Sequence, residues 1–185
     1  MILGGFYTGL RLGDLVTMPW GAVNLDENVI TILTRKTNKT VHIPIAKPFG
    51  VLLRTLRGKG KQPPSQPIWP EQAALYEKQK AQKFSNEFYE LILLPAGLAA
   101  KRSHQKEKNG RSSKRDYAAV SFHSLRHSNI TFLKSTGSNS EVAKALVGHS
   151  SDEINNLYTH LPIETLANAV NQLPELDTPT LLQTA

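Results

Sequence analysis

The sequence predicts a mixed α+β domain, mainly helical, with one small antiparallel β-sheet packed against the helices. Three observations carry that expectation. Residues 29–34 (VITILT) and 40–45 (TVHIPI) are β-branched runs joined by the polar stretch RKTNK, the pattern of a hairpin over about residues 29–45. Most other apolar residues recur at helical spacing. Gly58, Gly137 and Gly148 stand where helices should stop, and Pro48 and Pro162 where they should start.

Composition bounds the function before any motif is read. The 185 residues suit one large domain, or one domain with a tail, and 39% hydrophobic residues are enough for a core. Zero cysteines exclude a disulfide framework and thiolate metal sites. There is no apolar run of membrane-spanning length and no signal-peptide pattern, so a soluble, cytoplasmic protein without a membrane partner is expected. Twenty-two basic against 15 acidic residues give a net charge of +7. That balance favours a polyanionic partner, nucleic acid above all, against the plainer alternative of a solvated basic surface.

In chain order, Ile2, Leu3, Phe6, Tyr7 and Leu10 sit at near-helical spacing, although Gly4 and Gly5 weaken that helix. The chain thus starts inside a core, which suggests a domain cut from something longer. A Thr8-Gly9 break precedes Arg11 and a short helix, LGDLVTM. An arginine beside a core needs a partner, either Asp14 or a bound phosphate. Trp20 and Val23 lead into the sheet, where a further strand is expected, and Lys36 stands near the hairpin tip. Val51, Leu52, Leu53 and Leu56 belong to a helix from Pro48 to Gly58, followed by a Pro/Gly-rich loop, GKGKQPPSQP. Residues 71–94 read as helical with a break near Gln82–Ser85 and a buried stripe of Phe84, Phe88, Leu91 and Ile92. The basic segment 101–115 lacks apolar periodicity and reads as a loop that either folds on DNA or stays a solvated insertion. A helix over 121–136 follows. Ser138 with Glu141, and Ser150 with Glu153, have the spacing of capping boxes for two more helices. Ile154, Leu157, Tyr158 and Leu161 share the apolar face of the second. The last helix carries Ile163, Leu166, Ala167, Val170 and Leu173, and residues 174–185 form a tail with Leu181 and Leu182.

Singly, the polar residues of the 121–160 stretch have ordinary structural readings. Tyr158 could be a core tyrosine, His123 and Arg126 a surface pair, and His149 a helix-start residue. Their order changes the balance. TGLRLGDL at 8–15, Lys36-Thr37 at the hairpin tip, HSLRH at 123–127, LVGHSS at 146–151 and YTH at 158–160 together resemble the tyrosine recombinases, the phage integrase family. The resemblance covers 1–173, the family's catalytic domain, and not the N-terminal DNA-clamping domain that its members usually carry.

The resemblance implies a site-specific DNA recombinase or integrase that cuts and rejoins strands through a 3′-phosphotyrosyl link. Tyr158 is then the nucleophile, and Arg11, Arg126 and His149 hold the scissile phosphate. Lys36, chosen over Lys39 because it precedes Thr37, protonates the departing 5′ oxygen. His123 supports proton transfer, and Asp14 braces the site. No cofactor and no metal are implied, because fixed cationic donors stabilise the transition state. The implied partners are double-stranded DNA and further copies of the chain, as a tetrameric synapse assembled from monomers on DNA. The implied location is the nucleoid of a bacterium, or of one carrying a phage or mobile element. A type IB topoisomerase would use the same chemistry, and a non-catalytic DNA-binding remnant of a mobile element would bind without cutting.

Overall fold

A computed structural model of the chain describes residues 1–58, 60, 62–99, 120–136, 142 and 162–176. Helix α1 (Ile2–Thr8) opens it, and α2 (Leu12–Val16) follows after a sharp turn. A single 3-10 turn at Trp20–Ala22 leads into three strands, β1 (Val23–Asn24), β2 (Val29–Leu33) and β3 (Thr40–Pro44). Helices α3 (Lys47–Arg57), α4 (Pro70–Phe88), α5 (Phe122–Ser135) and α6 (Ile163–Asn171) complete the described architecture. It is mainly helical with one small antiparallel sheet, as the sequence predicts.

The sheet runs β1-β2-β3 with Val23 opposite Ile30, Ile30 opposite Ile43 and Ile32 opposite Val41. Alternation follows from the two-residue period of a strand. Ile30, Ile32, Val41 and Ile43 are buried on one face, while Thr31, Leu33 and His42 face outward. Helix α6 packs on β3 and buries Leu166, Ala169 and Val170; Ile163, expected on that face, is exposed. The Pro-rich loop is stitched to the sheet entrance, because Trp20 and Gly21 donate backbone bonds to Gln66 and Pro64, and Ile68 donates back to Met18.

Helix α1 forms despite its glycine pair, and its packing explains the pair. A Cβ on Gly5 would lie 3.0 Å from both Leu125 Cδ1 and Phe122 Cζ on α5, and one on Gly4 would lie 2.9 Å from Leu15 Cδ1. Close approach of backbone to neighbouring side chains outweighs the weak helix propensity of glycine, about 1 kcal/mol per residue. The residues after α6, expected as a tail, are held as far as Leu176: the Tyr7 hydroxyl donates to the Pro174 carbonyl and accepts from the Leu176 N–H, both at 2.9 Å.

Helix α4 departs from expectation twice. It runs unbroken through Gln82–Ser85, because the polar residues there are partners one turn apart rather than breakers. The Gln82 amide donates to Asn86 Oδ1 at 3.3 Å, and Lys83 pairs with Glu87 at 3.7 Å. Its continuation, Tyr89–Leu93, is then a π-helical turn in which the Leu94 N–H reaches back five residues to the Tyr89 carbonyl. The extra residue rotates the buried stripe. Tyr89 and Leu93 face the core, whereas Leu91 and Ile92 are 68% and 38% exposed. Phe84 stays buried, and Phe88 meets Phe122 edge to face.

The two helices expected between Ser138 and Leu161 lie outside the described residues, apart from Val142, which is helical and joins the core. The basic segment 101–115 and the Leu181-Leu182 pair also lie outside them.

Candidate active site

The turn between α1 and α2 sets the first candidate residue. Gly9 adopts a left-handed conformation, φ 61°, which ends α1, and the Thr8 hydroxyl accepts the Leu10 N–H at 3.2 Å. Arg11 therefore leaves the turn extended, as the residue that starts α2. From the other end of the chain, α5 closes over this turn. Arg126 Nη1 donates to the Gly9 carbonyl at 2.6 Å, and the Asn129 amide donates to the Phe6 carbonyl at 2.7 Å. Both acceptors belong to the carbonyl end of α1, where helix groups lack partners within the helix and favour positive charge.

Helix α5 starts cleanly. Ser121 and Ser124 form a reciprocal capping box, the Ser121 N–H donating to Ser124 Oγ at 3.0 Å. This fixes the first turn, which carries His123 at the surface and Arg126 buried beneath it.

The hairpin tip is built as firmly. Thr34 is buried and closes the loop: its N–H and hydroxyl both donate to the Lys39 carbonyl, at 2.9 and 3.0 Å, and its hydroxyl meets that of Thr37 at 2.7 Å. Asn38 takes the left-handed turn position, φ 51°. Lys36 is exposed on this closed loop. The tip is tied down by Asp14, a buried carboxylate on α2 whose Oδ1 accepts the Arg35 N–H at 2.8 Å. One side chain thus links the element that starts with Arg11 to the loop that carries Lys36.

The charges of these segments act on one another. The Arg126 guanidinium is pushed down to about 10 by burial first and then by repulsion from Arg11, with Asp14 acting in the opposite direction. His123 is held below the ordinary imidazole range by partial desolvation, then by His127, Arg126, Arg11 and Lys36. At neutral pH Arg126 is charged and His123 is neutral, so the site combines fixed cations with a proton acceptor. Arg11, Lys36, His123 and Arg126 are brought together. His149 and Tyr158 lie outside the described residues.

Reasoning from sequence passed over three residues that shape this site. His127 stands inside the HSLRH motif, its ring 4.8 Å from that of His123 at 88°. Thr34 and Asn129 act through bonds to the backbone and carry no local signal. Gly9, next to a threonine at a helix end, did carry one, and the break expected there is the turn that sets Arg11.

Two guanidiniums, one of them buried, an ammonium and an imidazole thus stand close together, a set of side chains suited to an anion and to proton transfer beside it. The comparisons with known proteins agree on one family. The Phage integrase family matches residues 1–164. Tyrosine recombinase XerC of Bifidobacterium longum is 26% identical over 167 residues, which is 90% of this chain and 44% of that protein. Tyrosine recombinase XerC of Alcanivorax borkumensis is 26% identical over 159 residues, 86% of this chain and 46% of that protein. The solved integrase from mycobacterium phage Brujita shares the fold, with a TM-score of 0.62 and 20% identity over 98% of this chain and 54% of that one. The chain belongs to the phage integrase family, the tyrosine recombinases. It spans less than half the length of the curated relatives it matches.

Proposed function

We propose that this chain, 1–173, is the catalytic domain of a site-specific DNA recombinase that cuts and rejoins strands without a metal. The observation that carries the reading is the convergence of Arg11, Lys36 and Arg126 on His123 from segments far apart in the chain. Arg11 and Arg126, with His149, hold the non-bridging oxygens of the scissile phosphate. The Tyr158 hydroxyl attacks phosphorus and gives its proton to His123. The P–O5′ bond breaks, and Lys36 supplies a proton to the leaving 5′ oxygen. The phosphodiester is thereby conserved as a 3′-phosphotyrosyl link, which a 5′ hydroxyl reopens by the same steps in reverse.

The energetics support that assignment. A phenol with a pKa of about 10 needs an acceptor as it attacks. Fixed donors around the developing charge contribute on the order of 3–4 kcal/mol each when they fill such a role, and a general acid contributes about 10²–10⁴-fold. Among the described residues no helix is long and apolar enough to cross a membrane. Double-stranded DNA is the proposed partner, with monomers assembling into a tetrameric synapse on it in a bacterial cytoplasm.

A pool of random-sequence duplexes, each nicked so that the cut fragment diffuses away, tests the reading. The expected product is a detergent-stable protein–DNA adduct that disappears in Tyr158→Phe. A folded protein that yields no adduct from any duplex, or an adduct that persists in Tyr158→Phe, would sink it. Relaxation of supercoiled DNA without sequence preference would point instead to a type IB topoisomerase.

A further inference from the structure

His127 has no part in the chemistry proposed above, yet it is in ring contact with a residue that does. His123 and His127 are one helical turn apart on α5, both exposed, with ring centroids 4.8 Å apart and planes at 88°. Such an edge-to-face contact favours one ring orientation over others. It also makes double protonation costly, because two imidazolium charges would lie side by side.

We propose that His127 is a positioning residue that fixes the orientation of the His123 ring and opposes its protonation, keeping it ready to accept the nucleophile's proton. The proposal rests on the recombinase reading for its meaning, but its physical content, the coupling of two imidazoles, does not.

The surroundings support it. The charged groups acting on His123 come from three elements: His127 and Arg126 on α5, Arg11 at the head of α2, and Lys36 at the β2–β3 tip. All are bases, so each opposes a proton on His123. His127 acts most strongly among them, after partial desolvation. Removing His127 therefore takes away the largest of these charge effects on His123 and leaves the other three in place.

The test uses the whole chain with labelled histidine. The His123 ring signal is followed by NMR across the imidazole range in the parent and in His127→Phe, His127→Gln and His127→Lys. In parallel, adduct formation on a nicked duplex is measured against pH. His127→Phe keeps a ring edge and removes the charge, so the His123 midpoint should move up, and so should the acid limb of the cleavage profile. A half-unit move slows cleavage about threefold on the acid side of the midpoint. His127→Lys, permanently charged, should hold the midpoint at or below that of the parent. Loss of the ring in His127→Gln should broaden the range of His123 ring orientations. A His123 midpoint identical in the parent and His127→Phe overturns the proposal, as does a slower cleavage rate with no displacement of the acid limb. A displaced midpoint in a protein that cleaves no DNA supports the coupling and counts against the recombinase reading, so the two fail separately.

Discussion

Arg126 and Arg11 show what single residues do here. Arg11 opposes the charge of Arg126, which is almost wholly buried. Arg11→Met should therefore leave folding stability within about 1 kcal/mol of the parent, or raise it, because repulsion is relieved. It should slow adduct formation by about 10²–10³-fold, the cost of losing one donor to a developing anion. Denaturant melts beside a timed cleavage assay check both halves; a large loss of stability would contradict that repulsion. His123 adds a pH dependence. Its folded-state pKa is depressed, so the unfolded chain binds a proton at a pH where the folded chain does not. That contribution to stability is complete above the ordinary imidazole value of about 6.5 and is lost as pH falls through the depressed one. Thermal melts on the acid side should therefore show a shallower pH slope in His123→Gln than in the parent.

At the scale of elements, two joints hold the site. The first is the α1–α5 contact at Gly5. Gly5→Ala improves helix propensity by about 1 kcal/mol. It also sets a Cβ 3.0 Å from the Phe122 ring. Overpacking of this kind costs about 1–3 kcal/mol, so net destabilisation and a displaced Arg126 are expected, read as a lower Tm and slower cleavage. The second is Asp14. Asp14→Ala removes the acceptor for the Arg35 N–H and the carboxylate that offsets the charge of Arg126. A loss of about 1–3 kcal/mol is expected, together with faster amide exchange at Arg35. The hairpin, the ends of α3 and the start of α6 were legible in the sequence, because each rests on residues adjacent in the chain. The π-helical turn was not. Nothing in YELIL separates it from an α-helix, and only the burial of Tyr89 and Leu93 by distant residues reveals it. The glycines of α1 likewise weaken the helix reading until α5 is seen against Gly5 and α2 against Gly4.

For the whole molecule, the charge of +7 and the cationic site set the expected behaviour on DNA. Binding should weaken steeply with salt, log K falling linearly with log salt at a slope of about −0.9 for each phosphate neutralised. Arg11→Met should lower that slope by about one, measured by anisotropy with a labelled duplex. The four described residues of the candidate site, Arg11, Lys36, His123 and Arg126, were legible in the sequence as residue types in order, while His149 and Tyr158 lie outside the described residues. The assembly of the four was not legible, because the contacts that hold the fold around them are long in sequence: 117 residues separate Gly9 from Arg126, and 169 separate Tyr7 from Leu176.

Those spans bear on how the chain meets the ribosome. Helix α1 is made before the elements that cover it: α2 and α3 follow soon after, and α5 much later. At about 5–20 residues per second, the interval between Gly9 and Arg126 is on the order of 6–23 seconds. The interval to Leu176 is longer still. Through that time Phe6 and Tyr7 lack the α5 surface and the 174–176 segment, and no half-made chain can gather Arg11, Lys36 and Arg126 around His123. Translation itself delays that gathering of charge until the α5 segment has been released.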